Sequence, residues 1–311
     1  MKVMIAGSSG LVGSALSRAY KNIENVELIE VNRSVVDLLD LEATNNFVIK
    51  NKPDLIIDAA AKVGGIGANN SQPVEFLNDN LRIQMNLMHS AHVSNVEKFI
   101  FLGSSCIYPR NAEQPIIESA LLTGQLESTN SAYAIAKIAG IELIKSYRKE
   151  YGHKWISLMP TNLYGPNDNF SLDSSHVLPA LIRKFSDATE NGAKTVELWG
   201  TGSPLREFLH VHDLASAVVL CHDKYDEESH INIGSGIETS IFNLASIIAK
   251  QLNFEGEILW DSTKPDGTPR KVLDVRRIKS LGWSPKVDIE NGIKNTISWY
   301  SEAKRLGTCR I

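Results

Sequence analysis

Short, almost uninterrupted apolar runs alternate along the first half of the chain with longer stretches whose apolar residues recur every three or four positions. The runs are KVMIA (2–6), VELIEV (26–31), DLIIDAA (54–60), KFIFLGS (98–104) and WISLMP (155–160). A strand with one solvated face would alternate apolar and polar residues. Strands apolar throughout are buried on both faces, the condition of a parallel sheet covered by helices. Between the runs, 72–95 and 131–150 have helical spacing, and each opens near Ser, Gln or Pro. The expected class is therefore α/β, a doubly wound parallel Rossmann-type sheet whose ligands lie beyond the carboxyl ends of its strands. After Pro160 the pattern changes to loop-rich NLYGPNDNFSLDSSHVLP, then helical 178–193, a short VELWG strand and mixed elements. We expect residues 1–165 to form the cofactor domain, with 207–236 returning to it. Residues 166–311 form mainly a smaller α/β substrate-binding domain.

The first apolar run leads into Gly7, Ser8, Ser9, Gly10, Leu11, Val12 and Gly13, and then an amphipathic stretch. The spacing is GxxGxxG, not GxGxxG. A glycine loop alone is as readily a plain turn. Placed between the first strand and its helix, it permits close approach of a pyrophosphate to unpaired N–H groups at the helix start. The choice of dinucleotide stays open on residue chemistry. Glu30 suits a ribose 2′-OH, whereas Arg33 suits a 2′-phosphate. Asp37 could contact adenine, but it reads at least as well as a helix-start acid.

Tyr133 and Lys137 are four apart on an expected helix and so share a face. An ammonium beside a phenol favours phenolate and would draw the Tyr133 pKa down. A surface Tyr/Lys pair is common, and the motif gains weight from Ser104 and Cys106, which the fourth run delivers to the same sheet edge as the glycine loop. Cys106 shares the side of Ser104 if the strand stays extended, and a thiol can serve as a base once its pKa falls. By itself such a cysteine is more usually a small buried hydrophobe. His176 reads as structural or as an acid/base group. Asn162 positions substrate or satisfies a loop, and Arg206, after a glycine-rich turn, faces a diphosphate or pairs on the surface. His210, His212 and Asp213 precede an apolar helical run and read as strand-end and cap chemistry. We therefore expect no metal. Trp199, Trp260 and Trp283 read as core.

Composition narrows the partners. The 311 residues carry a net charge of −4, without the basic footprint that a nucleic-acid backbone requires. The three cysteines are too scattered for a disulfide framework, which suits a reducing, cytoplasmic setting. Neither a signal-peptide pattern nor a spanning apolar run is present, so no membrane is expected.

The blocks GSSGLVG (7–13), AAAKVGGI (59–66), GSSCIYP (103–109), YAIAK (133–137), MPTNLYGPNDNF (159–170), SHVLPAL (175–181), WGTGSPLREFLHVHD (199–213) and KPDGTPRK (264–271) together resemble the GDP-L-fucose synthases, a branch of the extended short-chain dehydrogenase/reductase family. The likeness spans nearly the whole chain. GxxGxxG and YxxxK mark only the superfamily, whereas the middle blocks are specific to the branch. The resemblance implies a catalytic Ser104, Tyr133 and Lys137, with Cys106 and His176 as the acid/base pair of an epimerisation. It also implies a nucleotide-sugar site at Asn162, Lys184, Trp199, Arg206 and Lys271. Arg33 matches an arginine that holds the 2′-phosphate, so the implied cofactor is NADP(H). The implied substrate is a GDP-linked keto-deoxy sugar, GDP-4-keto-6-deoxy-D-mannose, epimerised at C3 and C5 and then reduced at C4 to GDP-L-fucose. A homodimer through the two long Rossmann helices is implied as well. Two departures stand out: Ser8-Ser9 replaces bulkier, charged residues of some members, and Lys184 replaces an arginine. The competing readings are another nucleotide-sugar epimerase or dehydratase, and a non-catalytic dinucleotide sensor.

Overall fold

A computed structural model describes residues 1–264 and 266–311, and Pro265 of the KPDGTPRK block lies outside the described residues. Five apolar runs become strands in chain order with helices between them. These are β1 (Lys2–Ala6), α1 (Leu11–Lys21), β2 (Glu27–Val31), α2 (Leu41–Asn51), β3 (Leu55–Asp58), α3 (Ile66–Ser71), α4 (Pro73–Val93), β4 (Lys98–Leu102), α5 (Ser131–Tyr151) and β5 (Ile156–Pro160). The expected strands over 54–60 and 98–104 stop two residues early, where small residues leave the ladder for turns. The chain continues through β6 (Asn162–Tyr164), α6 (Val177–Glu190), β7 (Thr195–Trp199), β8 (Leu205–His210), α7 (Val211–Lys224) and β9 (Ile231–Ile233). It closes with β10 (Glu238–Ser240), α8 (Ile241–Gln251), β11 (Glu257–Asp261), β12 (Arg270–Lys271), α9 (Arg276–Ser280) and α10 (Ile289–Arg305).

The central sheet has six strands in the order β2-β1-β3-β4-β5-β9, every pair parallel. The order reverses at β1, so the crevice between β1 and β3 is the topological switch point at which open α/β sheets bind ligands. Helices α2, α4 and α5 pack in sequence on one face, and α1 packs with α7 on the other. Full burial of Val3–Ala6, Leu55–Ile57 and Phe99–Phe101 matches the uninterrupted apolar runs. Within 207–236, α7 and β9 join this layer, while β8 belongs to the second part.

That second part has its own core, built from Phe170, Leu181, Phe185, Leu244, Ile248, Ile293 and Tyr300 among others. Its sheet is centred on β8, flanked by β10 and β12 over one half and paired with β6 over the other, and β7 and β11 form a separate parallel ribbon. Leu273, Val275, Ile278 and Trp283 pack back on the first core, a return that no apolar run in the sequence announces. Among the described residues, no helix is long and apolar enough to cross a membrane.

Candidate active site

The glycine loop closes the carboxyl end of β1. Gly7 adopts φ +80°, and its N–H and that of Ser8 both donate to the Val31 carbonyl at 2.9 Å, pinning the loop to β2. A β-carbon at Gly13 would stand 2.7 Å from Ser8 Cα and collide with the Gly7 carbonyl, so helix and loop could not close around a side chain there. Gly10 caps α1 without any side-chain acceptor, and the first turn holds no acid. The positive end of α1 is thus left for an anion. Ser8 is buried, Ser9 is exposed, and Leu11 and Val12 rest against the first core. At the end of β2, Glu30 pairs with Lys21 at 3.5 Å, while Arg33 is exposed. Asp37 is exposed too, and its Oδ1 accepts from Leu39 N at 3.0 Å. The helix-start role belongs to Asp40, whose side chain caps α2. A free helix terminus, a cradle closed to side chains and an exposed guanidinium at the end of β2 fit a dinucleotide bearing an extra phosphate.

The side chains expected to be catalytic converge beside this loop. Gly140 lets α5 lie directly on β4, since a β-carbon there would run into the Phe101 ring. Lys137, one turn earlier, is therefore buried; its Nζ donates to the Leu102 carbonyl at 2.9 Å and stands 4.8 Å from the Phe101 ring centre and 5.9 Å from that of Tyr133. The expectation that Lys137 draws the Tyr133 phenol toward phenolate is overturned. Burial pushes that phenol well above its ordinary value, and the Cys106 and Asp58 charges push it the same way. Tyr133 therefore holds its proton. Lys137 itself is pulled down by burial, against the opposing charges of Asp58 and Cys106.

The extended conformation assumed after β4 does not persist. Ser104 is its last extended residue, and Ser105–Ile107 turns into a 3-10 helix that Ser104 caps, accepting from Cys106 N at 3.4 Å. Cys106 reaches the cluster through this turn and not by strand parity. Burial pushes its thiol up, while Lys271, Ser104 and Lys137 draw it back. His176 is the residue before α6 and makes no side-chain cap bond; the residue is exposed, and the protein packed about its imidazole draws that group below its ordinary value. Its loop is tied to the AAAKVGGI turn by Gly65 N donating to Ser174 O at 2.9 Å. Phe76 of α4 in turn meets Tyr133 edge-on, 6.4 Å between ring centres.

Asn162, Arg206 and Lys271 stand on three adjacent strands, with Arg206 opposite Lys271 and Asn162 opposite Phe208. Lys184 lies apart from them, its Nζ donating to the Glu197 carbonyl at 3.3 Å. Trp199 is 68 % exposed with Lys264 Nζ 5.7 Å from its ring centre, so its reading as core is wrong: it ends an edge strand whose pattern puts it outward. Trp283 is buried, and Trp260 stacks on Phe242. His210 caps α7 by accepting from His212 N, as its spacing suggests. No group of three or more possible metal ligands occurs among the described residues.

One buried acid here escaped the sequence reading. Asp58 ends β3 opposite Ala6 on one side and Phe101 on the other, between the glycine loop and Lys137. Burial raises it to about 6 despite Lys137, and its Oδ2 has no hydrogen-bond partner. The signal was an acid closing the otherwise apolar strand LIID.

Comparison with known proteins decides the family. The pattern of the NAD dependent epimerase/dehydratase family matches residues 3–234. The chain belongs to that family. It is 53% identical to GDP-L-fucose synthase 1 of Arabidopsis thaliana over 299 residues, 96% of this chain and 93% of the relative. It is 48% identical to the GDP-L-fucose synthase of Escherichia coli K12 over 310 residues, 97% of each. A crystal structure of a GDP-L-fucose synthetase from Naegleria fowleri bound to NADP superposes with a TM-score of 0.90 at 30% identity, covering 100% of this chain and 96% of the other.

Proposed function

We infer that this protein is the NADP(H)-dependent enzyme that epimerises GDP-4-keto-6-deoxy-D-mannose at C3 and C5 and then reduces C4, giving GDP-L-fucose. The observation that carries the reading is the convergence of Ser104, Cys106, Tyr133 and Lys137 at the carboxyl edge of a sheet whose first loop is built for a dinucleotide, in a chain about 50% identical to GDP-L-fucose synthases. The loop Gly7–Gly13, Arg33, Asp37 and Lys137 would hold the cofactor. NADPH, when bound, supplies the hydride that reaches C4.

The chain's own groups handle the protons. A ketone at C4 acidifies the hydrogens at C3 and C5, and Ser104 and Tyr133 donate to the carbonyl oxygen as it becomes an enolate. Burial favours thiol and neutral imidazole at rest, so a proton first passes through solvent from Cys106 to His176; the thiolate then takes a proton from one face of the carbon and the imidazolium returns one to the other, inverting it. Each inversion leaves thiol and neutral imidazole, and a proton passing back through solvent resets the pair. Lys271 favours the thiolate, since its charge is the largest influence opposing burial at Cys106. After the second inversion Tyr133 gives its proton to the C4 alkoxide, a role that suits a phenol held protonated. Asn162, Lys184, Trp199, Arg206 and Lys271 take the GDP portion, with Arg206 and Lys271 meeting the diphosphate.

We also propose that residues 1–165, joined from within 207–236 by α7 and β9, act as the NADP-binding unit and the rest of 166–311 mainly as the substrate unit. The enzyme works in the cytoplasm as a homodimer through α4 and α5, where Met85 and Ile135 are exposed. The test mixes purified protein, NADPH and GDP-4-keto-6-deoxy-D-mannose and follows NADPH absorbance with product identity. Stoichiometric oxidation with GDP-L-fucose formed is the expected result. A changed sugar without net NADPH consumption would instead indicate an epimerase or dehydratase that recycles its cofactor.

A further inference from the structure

The three residues proposed for the GDP end, Asn162, Arg206 and Lys271, come from strands distant in sequence, and one buried residue, through its carboxylate and its main-chain carbonyl, joins their strands. Glu207 is 0 % exposed. Its Oε1 accepts from Gly236 N at 2.6 Å, fixing the loop after β9, and its Oε2 accepts from Leu273 N at 2.9 Å, fixing the chain just past Lys271. Its main-chain carbonyl accepts from Asn162 Nδ2 at 2.8 Å and from Thr161 Oγ1 at 3.4 Å. Both carboxylate oxygens act as acceptors, and no lysine or arginine among the described residues forms an ion pair with it. A β-carbon at Gly234 would collide with Oε1, so the backbone there closes on the carboxylate. Because neighbours along a strand point to opposite faces, a buried Glu207 turns Arg206 to the other face, level with Lys271 across the ladder.

We propose that Glu207 is the positioning residue of the nucleotide-sugar site: its carboxylate, through Gly236 and Leu273, holds Arg206 and Lys271 at the spacing a nucleoside diphosphate requires, while its main-chain carbonyl seats Asn162 beside them. Two cations on adjacent strands repel each other, and a flexible pair would splay. Anchoring β12 to the residue beside Arg206 fixes their separation before the diphosphate arrives, which is preorganisation in the ordinary sense. The inference rests on the function proposed above.

The test is Glu207→Gln, which keeps shape and volume but places an amide NH₂ against the N–H of either Gly236 or Leu273. GDP and NADPH affinities are measured by calorimetry on the full-length protein, together with KM for the keto sugar. The expected result is GDP binding weakened, and KM raised, about tenfold or more, with NADPH affinity within about twofold of the parent. A loss common to both ligands, or none for GDP, overturns the proposal. Ile248→Val, a core change in α8 away from the site, controls for general loosening and should leave both affinities unchanged. Where Glu207→Gln fails to fold, Glu207→Asp decides, because it keeps the charge but is one methylene too short to accept from both Gly236 N and Leu273 N. GDP binding weaker by about two- to fivefold with NADPH binding unchanged supports the role, and unchanged GDP binding overturns it. A parent protein that binds no GDP sinks the functional reading itself, whereas a parent that binds GDP beside an unaffected Glu207→Gln sinks only the role of Glu207.

Discussion

The carboxyl edge of the central sheet and the small sheet around β8 solve the same problem by different means. At the first, backbone does most of the positioning: strand ends, a glycine turn and an open helix terminus arise within 13 residues of contiguous chain. At the second, strands of two to six residues from 162–164, 205–210 and 270–271 meet, and side-chain hydrogen bonds hold them in place. A scaffold made of backbone keeps its shape when its side chains change and loses it at its glycines, whatever those side chains do in the chemistry. A site assembled by side chains fails wherever a buried polar partner is removed.

The largest expected effect is at the first region. Tyr133→Phe keeps the ring packed against Phe76 and removes only the proton that quenches the C4 alkoxide. General acid catalysis contributes about 10²–10⁴-fold, so reduction should fall by that much while NADPH binding and fold are retained. Single-turnover NADPH oxidation reads this directly, and near-parental rates would remove Tyr133 from the chemistry.

Cys106→Ser separates the two reactions of one pocket. Serine is far too weak an acid to act as a base near neutral pH, so exchange at C3 and C5 should fall to trace levels. Hydride delivery, which relies on Ser104, Tyr133 and Lys137, should continue. In deuterated water the parent incorporates deuterium at both carbons, and the variant at neither. Full incorporation at the parental rate would reduce Cys106 to a packing residue.

A smaller effect is expected at the rim. Arg33→Ala removes a charge-assisted contact to phosphate worth about 1.5–3 kcal/mol, hence about 10- to 100-fold in KM for NADPH. KM for NADH should stay nearly constant, and equal losses with both cofactors would mean that Arg33 supports the loop itself.

Legibility in the sequence follows the same division. The parallel sheet, the glycine loop and the helix carrying Tyr133 and Lys137 were readable because each is a local pattern with its own period. The turn at Ser105–Ile107 was not, since nothing in GSSCIYP distinguishes a strand that continues from one that curls. Neither were Asp58 and Glu207: a single acid carries no period, and its burial depends on strands paired far away. Trp199 failed as core because size and apolarity say nothing about which side of an edge strand faces out. The phenol of Tyr133 moved opposite to expectation because burial outweighs one ammonium nearly 6 Å from the ring centre.

The subtlest contrast concerns two buried acids, one in each region. Asp58 lies beside Lys137 and is raised to about 6, whereas Asp168, in the loop after β6, is raised to about 7 by burial against weaker help from Asn169 N and Arg310. Each has one oxygen without a partner. Both folded-state values exceed the unfolded value of 3.8, so the folded chain favours the proton. The associated stability is fully present below about pH 4 and is lost as pH rises through about 6 for Asp58 and about 7 for Asp168. The shifts correspond to about 3 and about 4 kcal/mol. An asparagine does not titrate and should escape the loss. Between pH 5 and pH 8, unfolding by urea should therefore show Asp168→Asn gaining on the parent, and by more than Asp58→Asn does, because that substitution also deprives Lys137 of its nearest counter-charge. A gain for Asp58→Asn as large as that for Asp168→Asn would mean that Lys137 and Asp58 are not coupled, and that the lysine keeps its charge without help from β3.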